Sequence, residues 1–320
     1  MTNQDQEKKL PDLSVIIPVY NEAKVLAELF DRLNQALSSI TADFEVIFAI
    51  DGCTDNSVEI IESFHQRDRR YKYLVLSRQH GQEIAIAAGL DFAEGRAVVI
   101  IDADLQDPPE LIPALWAKWQ EGIEVVYARR EKREKGFWLK SLGAKCFYRL
   151  MNKFSPMKIP EDTGNFRLLD RQAVLILRQT REASRYLRGL SVWIGFKQGA
   201  VYFKRGDRSG GQSHNNFVEM FKIAFDAITA FSIVPLRLAT YSGLVCAGLG
   251  FVGILWVIIV RFLPNYNSAG WATIVVAILF LGGVQLLVLG LIGEYIGRIY
   301  KEVQRRPLYV ISQKKGFDAL

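Results

Sequence analysis

Between Leu238 and Gly293 the only charged residue is Arg261. Backbone placed in hydrocarbon must satisfy every N–H and C=O internally, so a stretch of this kind forms helices that cross a bilayer or lies inside a large core. Residues 238–260 carry no charge. A helix of that length, at ~1.5 Å per residue, covers a hydrocarbon layer ~30 Å thick. Pro264, Asn265, Tyr266 and Asn267 read as a turn, and a second span is expected from about Trp271 to Ile292. The expectation is a membrane hairpin over residues 238–297; the alternative is a buried helical hairpin in a soluble protein. Lys222 and Arg237 precede the first span, and Arg298, Lys301, Arg305 and Arg306 follow the second. The positive-inside rule then places both termini in the cytoplasm. Residues 217–234, with few charges and apolar positions at helical spacing, read as an interfacial helix leading into the membrane over residues 217–237. Residues 137–154 read either as a second interfacial helix or as a plain packing helix. Glu294 sits four residues before Arg298, the spacing of a helical ion pair.

The preceding residues have a different texture. Residues 1–12 form a polar tail, and the first apolar run, 13–19, is too short for a signal peptide. Short β-branched runs at 13–19, 44–50, 73–76, 97–101 and 124–128 alternate with helical patterns at 22–39, 57–67, 82–94 and 109–120. Nearly all-apolar strands alternating with helices make an α/β fold, a Rossmann-like and mostly parallel sheet covered on both faces. Ligands of such sheets bind beyond the carboxyl ends of the strands. Neither GxGxxG nor GxxxxGK[ST] follows a strand, which disfavours ordinary dinucleotide binding and P-loop chemistry.

The net charge of +6 suits phosphorylated substrates or anionic lipid. No zinc-finger spacing or RNP-like motif is present, so nucleic acid is not expected as a partner. Cys53, Cys146 and Cys246 are far apart and odd in number, which argues against a disulfide framework.

The polar residues gather at three strand ends. Asp102 and Asp104 follow the strand at 97–101. In an extended chain residues i and i+2 project to the same side, ~6.5–7 Å apart, so the two carboxylates converge on one divalent ion, with Gln106 on the same side to add a carbonyl oxygen. Mg²⁺ takes one or two carboxylates and completes its shell with substrate phosphates. The bland alternative is a solvated loop. Asp51 and Asp55 bracket a Gly-Cys-Thr turn after the second strand. Asp55 or Thr54 reads equally well as the cap of the following helix, and Asp51 is better placed for a hydrogen bond to a base or ribose.

The segments PVYNE (18–22), DGCTDNS (51–57), HGQEIAIAAGL (80–90) and DADLQDPPE (102–110), in this order, resemble glycosyltransferase family 2. EDTGNFRLLD (161–170), RGLSVWIGF (188–196) and FSIVPLRL (231–238) narrow the resemblance to the bacterial polyisoprenyl-phosphate glycosyltransferases of the GtrB type, relatives of dolichol-phosphate mannose synthase. The resemblance implies a GT-A catalytic domain over residues 13–216, a UDP-sugar donor, a polyisoprenyl phosphate acceptor and an inverting transfer at the bacterial inner membrane. It implies that Pro18, Tyr20, Glu22 and Asp51 contact the nucleoside. It places Asp102, Asp104 and Gln106 around Mg²⁺ or Mn²⁺ and the diphosphate, and gives Arg208 the role of a phosphate clamp. Relatives often carry a lysine where this chain has His214.

A lipid phosphate needs cations near the bilayer. Arg129, Arg130, Lys132, Arg133 and Lys135 form a basic run expected between the fifth strand and the interface helix. Guanidinium groups grip phosphate oxygens bidentately, so Arg129 or Arg130 is the expected acceptor ligand, with Arg167 as the other candidate; general attraction to anionic lipid is the alternative. By the resemblance Asp162 lies beside the sugar and acceptor and is the expected catalytic carboxylate; a turn or helix-cap role competes. A phosphate monoester has its second pKa near ~6 and is already a nucleophile at neutral pH, so Asp162 either orients it or takes a residual proton. His65, His80 and His214 have no metal-ligand spacing; His80, inside a donor-side motif, reads either as a nucleotide contact or as a turn residue. Trp116 and Trp119 read as helix packing. Two rivals share these motifs. A processive polysaccharide synthase would carry QxxRW, which is absent, and a silent anchoring or flipping subunit would not need the Asp102/Asp104 pair. Residues 298–320 read as a cytoplasmic basic tail, and the interface helices invite self-association.

Overall fold

A computed structural model describes residues 10–131, 163–183, 185–203, 234–261 and 270–317. The chain divides into two compact units, one holding the sheet and one holding the two long apolar helices. Asp162, Arg208, His214, the basic residues 132–135, the expected helix at 137–154 and residues 217–233 of the expected interfacial helix lie outside the described residues; residues 234–237 open the first long apolar helix.

The first unit is built on an eight-stranded sheet in the order β7-β5-β6-β4-β1-β2-β3-β8. Its strands are β1 (Leu13–Val19), β2 (Phe44–Ile50), β3 (Tyr71–Leu76), β4 (Ala97–Ile100), β5 (Val125–Arg130), β6 (Thr163–Asp170), β7 (Gln198–Phe203) and β8 (Ile311–Lys315). The expected alternation is present: α1 (Leu26–Ser38), α2 (Ser57–Arg67), α3 (Gln82–Phe92) and α4 (Ile112–Gln120) connect the first five strands, with a 3₁₀ turn at Pro109–Leu111 before α4. α5 (Arg171–Gln179) and α6 (Leu187–Trp193) follow β6. β1, β2, β3 and β4 pair in parallel, as β5 does with β7. β6 runs antiparallel between β4 and β5, and β8 runs antiparallel along β3.

Every residue of β1 and β2 is buried, because apolar side chains leave both faces. Val15, Ile17, Val19 and Phe48 point into one core layer with Leu29, Leu33 and Phe64 of α1 and α2. Ile16, Ile47 and Ala49 point into the other with Ala85 and Ala88 of α3 and Val174 of α5. Gly89 lets α3 settle onto β1: a Cβ there would stand 2.3 Å from Ile16 Cγ2.

The order β3-β2-β1-β4 means that the chain moves outward from β1 to β3 and then returns to the far side of β1. This reversal is the topological switch point at which open α/β sheets bind ligands. Pro18 marks it. Ile16 accepts the Ile101 N–H, so the nitrogen of Pro18, two residues on, also faces the β4 side. Pairing with β4 has ended by then, and a residue without an N–H leaves no ladder bond missing.

The basic-tail expectation for residues 298–320 needs correction. Ser77 N–H donates to the Val310 carbonyl at 2.8 Å and leads into β8 on the β3 edge. The Tyr309 hydroxyl donates to Asp91 Oδ2 at 2.6 Å, and Phe317 packs edge-on against Phe92. Lys314 and Lys315 are exposed on this edge strand, where lysines discourage pairing with further chains.

The second unit contains α7 (Val234–Arg261) and α8 (Trp271–Val303), which contact each other. Leu244, Leu249 and Phe251 of α7 and Leu286, Leu287 and Leu289 of α8 are all more than 60% exposed, which is costly in water at such density. Among the described residues Phe280–Val303 is long and apolar enough to cross a membrane, with a mean hydropathy of 1.6, and Ala239–Gly253 is a shorter apolar stretch. Arg298 Nε donates to Glu294 Oε1 at 3.0 Å, the pairing expected from their spacing.

Candidate active site

At the switch point Pro18, Tyr20, Glu22, Asp51, Asp102 and Asp104 line one open cleft of about 350 Å³, together with Gln79, Gly81, Gln82 and Ala85. Six of the expected site residues thus converge although they come from three separate strand ends.

Hydrogen bonds between the loops hold this rim. Asn21 adopts φ +56, a conformation that asparagine tolerates better than most residues, and its Oδ1 accepts the Thr54 N–H at 2.8 Å. The N–H groups of Glu22 and Ala23 donate to Ser57 Oγ and Asp55 Oδ2, each at 3.1 Å. Asp55 Oδ1 also accepts the Ser57 N–H, so Asp55, one residue before the α2 N-cap Asn56, ties PVYNE to DGCTDNS. Asp51 is 3% exposed, and its two oxygens accept the N–H groups of His80 and Gly81, both at 2.7 Å. The loop before α3 is thereby clipped to the end of β2, and each carboxylate oxygen keeps a lone pair for a ligand. Gly52 makes the clip possible: it has φ +65, and a Cβ there would lie 2.6 Å from Gln79 N. The His80 ring bonds to the Arg78 carbonyl at 2.7 Å and does not line the cleft. His65 is likewise structural, with Nδ1 2.7 Å from the Tyr71 carbonyl.

The acidic end of the cleft follows β4. Asp102 Oδ1 accepts from Gln82 Nε2 at 2.7 Å. Leu105 has φ +58, rare for a side chain of its kind, and the chain turns sharply there. The strict alternation expected for residues 102–106 therefore fails at Gln106. It does not line the cleft, and it contributes its backbone N–H, which donates to Asp104 Oδ1 at 3.0 Å.

Charge is crowded at this end. Burial, then the charges of Asp107 and Asp104, push the Asp102 carboxyl up to about 7, against the opposing influence of Arg188 and the Gln82 hydrogen bond. Burial and then Asp104 and Asp55 raise Glu22 as well. Among the described residues no group of three or more His, Cys, Asp or Glu side chains is arranged to hold a metal. Two carboxylates short of positive charge, open to a cleft, fit the other arrangement, in which substrate phosphates complete the shell of a divalent cation.

Three arginines were expected to meet the acceptor. Arg129 and Arg130 lie within β5, earlier than the loop expected for them. Arg129 pairs with Thr163 across the sheet and stacks over the Tyr202 ring at 5.8 Å. Arg130 Nη2 is 3.4 Å from Asp107 Oδ1, and among the described residues its buried Nε has no partner. It also reaches the segment next to Asp162: a Cβ on Gly164 would be 3.9 Å from Arg130 Nη2. Arg167 is a different case, and the acceptor assignment does not suit it. It is 3% exposed and donates to Ser191 Oγ and to the carbonyls of Gly164 and Asn165. Burial and then the neighbouring Arg188 lower it to about 10. A guanidinium whose donors are spent on protein oxygens stiffens β6 against α6. Trp119 Nε1 donates to Asp170 Oδ2 at 3.0 Å and its ring meets Trp116, the packing role expected for this pair.

Sequence reasoning missed the role of Gln82 and Glu83. Gln82 reaches Asp102, and the half-buried Glu83 accepts the Leu187 N–H at 2.8 Å, which fixes the start of α6. Their signal was available: a polar pair opens a helix whose next six residues, from Ile84 to Gly89, are otherwise apolar.

Comparison with known proteins adds an independent line. The family described as Glycosyl transferase family 2 matches residues 14–175, and the GtrB C-terminal hairpin matches residues 234–299. A Synechocystis protein described as an uncharacterized glycosyltransferase is 43% identical over 97% of this chain and 97% of its own length. The SfII prophage-derived bactoprenol glucosyl transferase of Shigella flexneri is 38% identical over 94% of this chain and 97% of its own. Among solved structures, mannosyl-3-phosphoglycerate synthase from Rubrobacter xylanophilus aligns over 72% of this chain and 75% of its own, with 18% identity and a TM-score of 0.48.

Proposed function

This chain belongs to glycosyltransferase family 2 and carries the GtrB C-terminal hairpin, and we propose from that premise that it transfers a sugar, glucose first among the candidates, from a UDP-sugar to a polyisoprenyl phosphate. The observation that carries the reading is the convergence of Tyr20, Glu22, Asp51, Asp102 and Asp104 on one cleft at the switch point. The acceptor class draws support from the bactoprenol glucosyl transferases that resemble this chain along nearly its whole length.

In this reading Pro18, Tyr20, Glu22 and Asp51 receive the nucleoside. Tyr20, 46% exposed at the rim, offers a ring face to the base, and the free lone pairs of Asp51 accept from it. Asp102 and Asp104 hold Mg²⁺ or Mn²⁺, which when bound neutralises charge on the diphosphate. Arg208 closes on the same phosphates. Arg130, and Arg129 beside it, draw the lipid phosphate towards the Asp107–Gly164 side of the cleft. The phosphate oxygen attacks the anomeric carbon from the face opposite the diphosphate. A C–O bond to the lipid phosphate forms as the C–O bond to the diphosphate breaks, UDP departs with the electron pair, and the anomeric configuration inverts. Asp162, one residue before β6, orients the attacking phosphate or takes its residual proton. The hairpin crosses the bilayer twice with both chain ends in the cytoplasm, so donor and lipid head meet on that side.

The test is direct. Purified protein is incubated with radiolabelled UDP-glucose, Mn²⁺ and undecaprenyl phosphate, then extracted with organic solvent. Label in a lipid fraction that releases free sugar in mild acid is expected. Label in a high-molecular-weight polymer would favour a polysaccharide synthase, and an absence of acceptor-dependent UDP release with any UDP-sugar would favour a silent subunit.

A further inference from the structure

Arg188 lies beside β6 near the acidic end of the cleft, and among the described residues its terminal nitrogens donate to no protein oxygen. It is the second residue of α6, whose first N–H is fixed by the half-buried Glu83 carboxylate. Arg188 Nε donates to Asn165 Oδ1 at 3.2 Å. Asn165 is 3% exposed and lies on β6, which pairs with β4 so that Ile100 faces Arg167. The same antiparallel register carried two residues further sets Asp102 beside Asn165. The side chain that Asn165 holds is therefore held next to Asp102.

The contrast with Arg167 is chemical. Arg167 spends its guanidinium on three protein oxygens. Arg188 is half-buried, and among the described residues its Nη1 and Nη2 have no hydrogen-bond partner. Arginine at a partly desolvated site normally pairs with a carboxylate or an oxyanion, and a free pair of terminal nitrogens matches two oxygens of one phosphate. We propose that Arg188 is a phosphate-binding residue of this active site, its Nη1 and Nη2 gripping an oxyanion delivered to the Asp102 edge of the cleft. The oxyanion belongs either to the donor diphosphate or to the lipid phosphate; both are phosphate oxygens that must pass beside Asp102. This assignment rests on the functional reading given above.

Two arms on the full-length protein distinguish the sources. Calorimetry measures UDP affinity in Mn²⁺, and initial rates measure the KM for undecaprenyl phosphate at saturating UDP-glucose, for wild type, Arg188→Gln and Arg188→Lys. Arg188→Gln is expected to lose at least about tenfold in one arm. Weaker UDP assigns the donor diphosphate, and a raised acceptor KM with unchanged UDP affinity assigns the lipid phosphate. Arg188→Lys, which keeps the charge and loses the fork, should recover part of the loss and also carries the test if the glutamine variant fails to fold. Wild type active in both arms with both variants within twofold of it would overturn the assignment of Arg188 alone. Wild type that neither binds UDP nor labels lipid would overturn the functional reading and the assignment with it.

Discussion

Gln82 Nε2 donates to Asp102 Oδ1 at 2.7 Å, which makes the first turn of α3 part of the site at the end of β4. The amide holds one carboxylate oxygen and leaves the other for a cation. Removing such a partner of a metal-ligating group commonly costs 10–100-fold in affinity or activity, so Gln82→Leu should lower the transfer rate by about that factor. The hydrogen bond also restrains the pKa of Asp102, so the deficit should be larger at pH 6 than at pH 8. A pH–rate series on both proteins checks this.

Asp102 has an ordinary value of 3.8 and is raised to about 7. Between those values the folded, metal-free protein keeps a proton that the unfolded chain has released. Stability then falls as pH rises from about 4 to about 7 and levels off beyond. Melting in chelator across that window should show wild type losing stability relative to Asp102→Asn, by up to about 4 kcal/mol if the full shift is expressed. Mn²⁺ with UDP should abolish the difference at pH 7.

Gly52 sits at φ +65 with Gln79 N directly in the path of a side chain. Gly52→Ala forces both an unfavourable backbone region and a clash, a cost of at least about 1–2 kcal/mol. The segment that must move carries the N–H groups of His80 and Gly81 that clip Asp51. A lower Tm together with weaker UDP binding is therefore expected; a lower Tm alone would show that the clip survives.

Tyr309 fastens the C-terminal segment to α3 through Asp91, which also accepts from Arg181 at 2.6 Å. Tyr309→Phe removes one charge-assisted hydrogen bond and leaves the other, and should cost about 1.5 kcal/mol. Proteolysis near residues 306–317 should accelerate in this variant before the rest of the sheet melts.

The sequence and the structure agree best where periodicity is strong. β1, β2 and α2 have the expected limits because their apolar runs are bounded by turn residues. β8 was illegible because one short, lysine-rich edge strand has no alternation to display. The residues lining the cleft were legible from motifs at strand ends, since a parallel sheet brings those ends together. The arginines were not. Arg129, Arg130, Arg167 and Arg188 look alike as letters, and only the pairing of β6 between β4 and β5 decides that Arg167 is buried while Arg129 and Arg130 are half-buried. The left-handed turn at Leu105, which diverts Gln106, likewise leaves no sequence signal, because leucine is not the residue that such a turn favours.

The central claim is that the Asp102/Asp104 pair holds a divalent cation only in company with a diphosphate. Calorimetric titration of UDP into the full-length protein, with and without Mn²⁺, for wild type and Asp104→Asn, tests it most directly. The prediction is tight binding by wild type that requires Mn²⁺ and a loss of at least about tenfold in the variant. UDP binding that ignores both the metal and the substitution would contradict it.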